Sequence, residues 1–289
     1  MKIAITGGKG GTGKSTIATA LAFVSAKKAK TLLVDADVDC PNDHLILSIK
    51  RKRIKDVFQP MPKFDLSKCI KCGKCRDVCK QNSIVFVKGK YPVFIPDVCI
   101  GCKACIFTCP AGAISESKKK IGEAYRGKGY GIDFVSGELK TGELASGEIV
   151  AETRKISEEI ETKTKSDIII IDSAAGIGCP VIASLTGTDF VVAVTEPTPS
   201  ALSDLERVLR VVEHFGIPYG ILINKSNLSR KFARRIENFA RKNKIHILGK
   251  IPYDKMFIES LIKMKPVTVY NKKFETVFSD ILNNILTCK

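Results

Sequence analysis

Short, uninterrupted apolar runs at 2–6, 31–35, 168–172, 189–194, 219–223 and 245–248 alternate with longer stretches whose apolar residues return every three or four positions. Such runs suit strands buried on both faces, and the periodic stretches suit amphipathic helices. The alternation predicts an α/β fold, a parallel sheet with helices on both sides. It breaks near Pro60 and Pro62. A cysteine-rich piece then runs to about Ser117, and a glycine-punctuated stretch from Ile121 to Ser146 follows. The polar–apolar alternation in Tyr130-Gly-Ile-Asp-Phe-Val-Ser136 predicts one or two hairpins there, serving as a linker or a docking surface. The expected division is 1–60 and 149–289 as two parts of one α/β domain, 61–117 as an insertion, and 118–148 as a glycine-rich hairpin connection.

The insertion holds eight of the eleven cysteines in two copies of one spacing, Cys69-x2-Cys72-x2-Cys75-x3-Cys79 and Cys99-x2-Cys102-x2-Cys105-x3-Cys109-Pro110. This is the spacing of bacterial two-cluster ferredoxins, in which the fourth cysteine of each run ligates the other cluster. It predicts two 4Fe-4S clusters, one on Cys69, Cys72, Cys75 and Cys109, the other on Cys99, Cys102, Cys105 and Cys79. Zinc is the alternative, but zinc sites use two pairs rather than two sets of three plus one. Lys80 follows the first run where Pro110 follows the second, which leaves ligation intact and the chain freer there.

At the other end, GKGGTGKS (Gly8 to Ser15) follows the apolar strand Lys2-Ile-Ala-Ile-Thr6 and opens a helical run from Thr16 to Lys27. That context makes it a phosphate-binding loop. Backbone amides of Gly10, Gly11, Thr12 and Gly13 are expected to cradle phosphates, aided by the positive end of the helix. Lys14 is expected to reach the β- and γ-phosphates, Ser15 to bind Mg2+, and Thr16 to add a phosphate contact.

Lys9, an extra lysine just after Gly8, makes this loop resemble the deviant Walker A loop of MinD/ParA-type ATPases, a group that includes the nitrogenase iron protein. Thr31-Leu-Leu-Val-Asp35 with Asp37 and Asp39 resembles that family's second strand and switch I. Ile168-Ile-Ile-Ile-Asp172-Ser-Ala-Ala-Gly176 resembles its switch II, with Ala174 where relatives usually have Pro. Ile221-Leu-Ile-Asn224-Lys225 resembles the strand end that reads adenine, and Ile251-Pro252-Tyr-Asp254 a late loop near the base. The whole is similar to MinD-superfamily ATPases containing an inserted ferredoxin domain. The resemblance implies ATP or ADP as ligand and an ATP-dependent homodimer. By it, Lys9 crosses to the partner's phosphates, Asp37 orients the attacking water, Asp172 holds Mg2+ through water, Asp35 supports the loop, and Asn224 and Pro252 meet the base. Phosphoryl transfer needs mainly positioning and charge stabilisation, so a metal, two lysines and a carboxylate suffice.

Composition agrees with a globular protein: 289 residues and 44% hydrophobic content. No apolar run approaches the ~20 residues of a membrane span, and the start shows no leader pattern, so a cytoplasmic protein without membrane contact is expected. The formal charge is +17. Residues 64–115 carry eight Lys or Arg against three Asp, which suits an acidic partner such as a ferredoxin-like carrier. Residues 225–244 carry eight Lys or Arg against Glu237 alone. This basic helix could hold nucleic-acid phosphates, though a solvated helix face is the simpler reading. Cys40, Cys179 and Cys288 remain. Cys179, seven residues past Asp172 as a cluster ligand is in the nitrogenase iron protein, suggests a third metal site shared with Cys40; a small packing residue is the plainer reading.

Three functions fit. The leading expectation is an ATPase whose cycle gates electron transfer through the clusters to a redox or metalloprotein client. The alternatives are ATP-dependent assembly or delivery of metal or Fe-S centres, and a ParA/MinD-like positioning ATPase.

Overall fold

The computed structural model describes residues 1–288. Its centre is a nine-stranded sheet in the order β11-β10-β9-β1-β8-β2-β7-β6-β3. The six apolar runs become β1 (Lys2–Gly7), β2 (Thr31–Ala36), β8 (Ile168–Ala175), β9 (Phe190–Thr195), β10 (Tyr219–Ile223) and β11 (His246–Lys250). With β7 (Ile132–Leu139) they form seven mutually parallel strands. Side chains alternate between two cores. Ile3, Ile5, Leu33 and Val192 face one side, where α1 (Lys14–Ala26) and the C-terminal α11 (Lys272–Thr287) pack. Ala4, Leu32, Val34 and Ile171 face the other. That side is covered by α5 (Ser146–Thr164), α6 (Cys179–Leu185), α7 (Pro199–His214) and α8 (Arg230–Lys242). Burial on both faces is why these strands read as continuous apolar runs.

The glycine-rich stretch contributes to this core. β6 (Ile114–Gly129) and β7 form an antiparallel hairpin, and Tyr130 and Gly131 at its turn both have positive φ, 52° and 76°. A two-residue turn of that hand matches the twist of its strands. β7 then pairs with β2, and its Ile132, Phe134 and Val135 are fully buried. Its glycines have a packing reason: a Cβ on Gly137 would lie 2.4 Å from the Thr153 hydroxyl oxygen of α5.

The break expected at Pro60 and Pro62 does not occur. β3 (Lys52–Phe64) runs through both prolines, paired antiparallel with β6. It is the outermost strand, and residues two apart turn the same edge outward, so neither missing N–H costs a ladder bond. Val57 pairs with Gly122, and Gly122 with Leu139 at the end of β7. Beyond that point the β3–β6 ribbon continues alone for about seven residues, on the order of 20–25 Å. Because β3 runs in the direction of β7, this overhang leaves from the same end of the sheet as the loop after β1.

The cysteine-rich piece hangs between Phe64 and Ile114. It contains α3 (Lys74–Val78), the two-stranded β4 (Ile84–Val85) and β5 (Val93–Phe94), and α4 (Ala104–Thr108). Left-handed backbone recurs thirty residues apart, at Lys71 and Gly101, Gly73 and Lys103, and Asn82 and Gly112. The two cysteine runs are therefore one backbone motif used twice. The remaining helices are α2 (Asp43–Ile46), α9 (Lys255–Ile262) and α10 (Val267–Tyr270). No helix among the described residues is long and apolar enough to cross a membrane.

Candidate functional site

The loop after β1 is fixed by close backbone approaches that only glycine permits. A Cβ on Gly8 would lie 2.2 Å from the Asp204 carbonyl oxygen. Gly13, at φ 93°, caps α1 in the left-handed region, and a Cβ there would meet Asn224 Nδ2 at 2.4 Å. Beside the loop lies a pocket of ≈ 460 Å³, lined by Gly10, Gly11, Gly13, Lys14, Ser15 and Thr16. Asp37 also faces it, and Leu261 and Met264, from α9 and the turn after it, supply apolar wall. Gly8, Lys9 and Thr12 lie outside this lining; Thr12 is buried, and its hydroxyl donates to the Lys9 carbonyl at 3.3 Å. Lys14 is 6% exposed, with Nζ 3.5 Å from the same carbonyl.

Asn224 is engaged with the loop rather than free. Its Nδ2 donates to the Thr12 carbonyl at 2.7 Å, and its Oδ1 accepts from the Lys225 N–H at 2.9 Å. Pro252 sits on a neighbouring loop tied back by Ser226 N–H to the Ile251 carbonyl at 2.9 Å and by Tyr253 N–H to Asn227 Oδ1 at 2.6 Å.

Asp35, next to the last residue of β2, and Asp172, in the second half of β8, are register partners on adjacent strands. A third carboxylate, Asp43, joins them from the first turn of α2, and one oxygen from each lies within 4.8 Å of the others. Asp35 accepts the backbone N–H of Asp43 at 3.1 Å and of Asp37 at 3.3 Å. All four carboxylate oxygens of Asp43 and Asp172 are buried without a hydrogen-bond partner. Burial pushes Asp172 up to about 7, with the nearby Ser15 hydroxyl and Lys14 opposing. Burial first, then Asp172, raises both Asp35 and Asp43. Orphaned carboxylate oxygens beside Ser15 are the hard oxygen donors that Mg2+ takes. Asp43 was missed because the sequence offers no motif for it; only the helical turn brings it back under β2.

Lys9 lies 3.1 Å from Glu196 Oε1, and Lys225 Nζ lies 2.9 Å from Glu196 Oε2 and 2.8 Å from the Gly11 carbonyl. Glu196 also had no sequence signal, since it follows β9 directly and lies some 190 residues from the loop it touches.

The eight cysteines of the two runs line two cavities, four to each. Cys79, Cys99, Cys102 and Cys105 line one of ≈ 180 Å³ against Pro60, Met61 and Pro62 of β3. Cys69, Cys72, Cys75 and Cys109 line a narrower one of ≈ 20 Å³ further out, beside Phe64 and Ile114. No three thiols among the described residues come within 4.8 Å of one another. Gln59, 3% exposed, donates to the Cys99 carbonyl at 2.7 Å and ties this loop to β3. Burial, then Cys99 and Cys102, pushes the Cys105 thiol up to about 11. Burial also acts to raise Cys79, but the Ser83 hydroxyl and nearby amides bring it below its usual value.

The basic helix α8 buries Ala233, Ile236 and Ala240 and leaves Arg230, Lys231, Arg234, Arg235 and Arg241 exposed. Cys179 opens α6 and is exposed, as is Cys40; Cys288 is half-buried at the end of α11.

A loop of this shape at the end of a central parallel strand, facing carboxylates on its neighbours, is a nucleotide site by its geometry, and comparison with known proteins agrees. The profile of the CobQ/CobB/MinD/ParA nucleotide-binding domain matches residues 3–267. An uncharacterised protein of Methanocaldococcus jannaschii is 36% identical over 94% of this chain and 93% of its own. An uncharacterised ferredoxin of the same organism is 42% identical over 53 residues, 17% of this chain and 69% of its own. Among solved structures, the septum site-determining protein MinD of Pyrococcus horikoshii, complexed with Mg-ADP, superposes with a TM-score of 0.64 at 18% identity, covering 99% of this chain and 96% of that one. With its phosphate-loop pocket, its parallel sheet and a profile match along most of its length, the chain belongs to the CobQ/CobB/MinD/ParA nucleotide-binding family, as a MinD/ParA-type P-loop protein.

Proposed function

We propose that this chain is a Mg2+-dependent ATPase that dimerises with ATP and carries two 4Fe-4S clusters in the segment between the two parts of its nucleotide-binding domain. The observation that supports it best is positional: two four-cysteine cavities stand on a ribbon leaving the sheet from its nucleotide end. Phosphates would rest on the amides of Gly10 to Gly13, with Lys14 and Thr16 in contact and Ser15 and Asp172 toward Mg2+. Mg2+ would offset charge on the phosphates. Asp37, on the pocket wall, would orient water, and Lys9 would act across the dimer. Such a dimer closes over the end of the sheet from which the ribbon leaves, so ATP would control what the clusters meet. Electron gating follows as the finer reading.

A second reading is a positioning ATPase with clusters in a structural role. The likeness to septum site-determining MinD favours it. Anaerobic protein should hold about eight iron and eight sulfide per chain. Stoichiometric zinc would refute the clusters. Lys14→Ala should lose ATP binding, and Lys9→Ala should bind ATP yet neither dimerise nor hydrolyse it. If ATP and ADP leave the cluster potential unchanged, gating is refuted and positioning remains.

A further inference from the structure

Glu196 stands one residue past β9, with its side chain 9% exposed. Its two carboxylate oxygens are divided between two lysines of the phosphate loop's surroundings, Oε1 to Lys9 at 3.1 Å and Oε2 to Lys225 at 2.9 Å. Burial works to raise its pKa, but the hydrogen bonds and charges of the two lysines hold it below the usual carboxylate value. The carboxylate is therefore charged, and a buried charge left without a partner is costly. The partners differ in freedom. Lys225 is additionally fixed on the Gly11 carbonyl at 2.8 Å, whereas the Lys9 side chain is 39% exposed and has no second anchor among its hydrogen bonds.

Glu196 in its own subunit and a phosphate in another would compete for the Lys9 amine. We propose that Glu196 is a positioning residue that parks Lys9 on its own subunit in the free chain and retains Lys225 when Lys9 leaves. The inference rests on the reading above that Lys9 acts across an ATP-bound dimer. Lys225 is what permits the release, since the buried carboxylate keeps one cation throughout. The parked state then sets the protein concentration at which ATP can assemble the dimer.

Two substitutions should act in opposite directions. Glu196→Gln keeps shape but frees Lys9, and should lower the concentration for ATP-dependent dimerisation by roughly three- to tenfold, the size expected for a partly exposed pair. Lys225→Met leaves Lys9 as the sole cation for Glu196, and should raise that concentration by a similar factor. Sedimentation with ATP measures both. Independently, acylation of the Lys9 amine in nucleotide-free protein, followed by mass spectrometry, should be faster in Glu196→Gln than in the parent and slower in Lys225→Met. A structural role alone would not move Lys9 reactivity in opposite directions. A parent protein that stays monomeric with ATP would overturn the dimer reading, while the acylation rates still report on parking. Unchanged Lys9 reactivity in both variants, each with a normal unfolding transition, would overturn the parking role itself.

Discussion

Replacing Asn224 with Ala separates two roles for that residue, reading the base and bracing the phosphate loop. In the structure both ends of its amide are occupied, one by the Thr12 carbonyl at 2.7 Å and one by the Lys225 N–H at 2.9 Å. Each such bond contributes about 0.5–1.5 kcal/mol net, so losing both costs about 1–3 kcal/mol of loop order. At about 1.4 kcal/mol per decade this weakens binding by roughly 5- to 150-fold. Bracing acts on the phosphate cradle, which every nucleotide uses. Titration calorimetry with ATP, GTP and inorganic tripolyphosphate should therefore show a parallel loss for all three ligands. If ATP affinity falls while tripolyphosphate binds as before, the bracing argument is wrong and Asn224 reads adenine, as the family resemblance implies.

Two further substitutions test other parts of the architecture. Gly101→Ala should destabilise the insert by about 2–4 kcal/mol: the left-handed φ of 71° costs about 1–2, and the new Cβ would lie 2.5 Å from the Pro60 carbonyl oxygen. Gly112→Ala, at φ 57° with open space around it, should show only the backbone cost, and denaturant unfolding that fails to separate the two would discredit the contact with β3. Asp43→Asn should stabilise chelator-treated protein at pH 8 by about 1–3 kcal/mol, because a buried carboxylate near two others no longer has to ionise. Since folding raises the Asp43 value, its ionisation penalty is absent below the ordinary carboxylate range near pH 4 and grows as pH rises above it. The advantage should fade toward pH 4, and melting curves with a pH-independent difference would refute the cause.

The strands that carry nucleotide chemistry were legible because burial on two faces leaves an unbroken apolar signature, as in Ile168 to Ile171. The two cysteine groups were legible because one spacing recurs, and the backbone motif beneath it recurs with it. What the chain hid were features decided by long-range packing. Glycines at 122, 127, 129 and 137 blur the signature of β6 and β7, yet these positions are glycine because Ile49 and Ile149 crowd the backbone. Pro60 and Pro62 read as breakers until β3 is known to be outermost. Asp43 and Glu196 carry no local pattern at all, and their meaning appears only when distant elements meet.

The ribbon also bears on how the chain reaches its fold. β2 and β7 are parallel neighbours, yet the whole stretch from Asp37 to Gly131 intervenes between them, a long connection to close. Zipping β3 onto β6 closes most of that distance locally, since Lys52 faces Arg126 and the turn into β7 follows directly after Gly129. To the growing sheet the insertion then behaves as a short connector. Everything beyond Phe64 can lengthen or shorten at an entropic cost of only about 0.6 kcal/mol per doubling, so this edge is a place where the family's fold can acquire a new module without being redesigned.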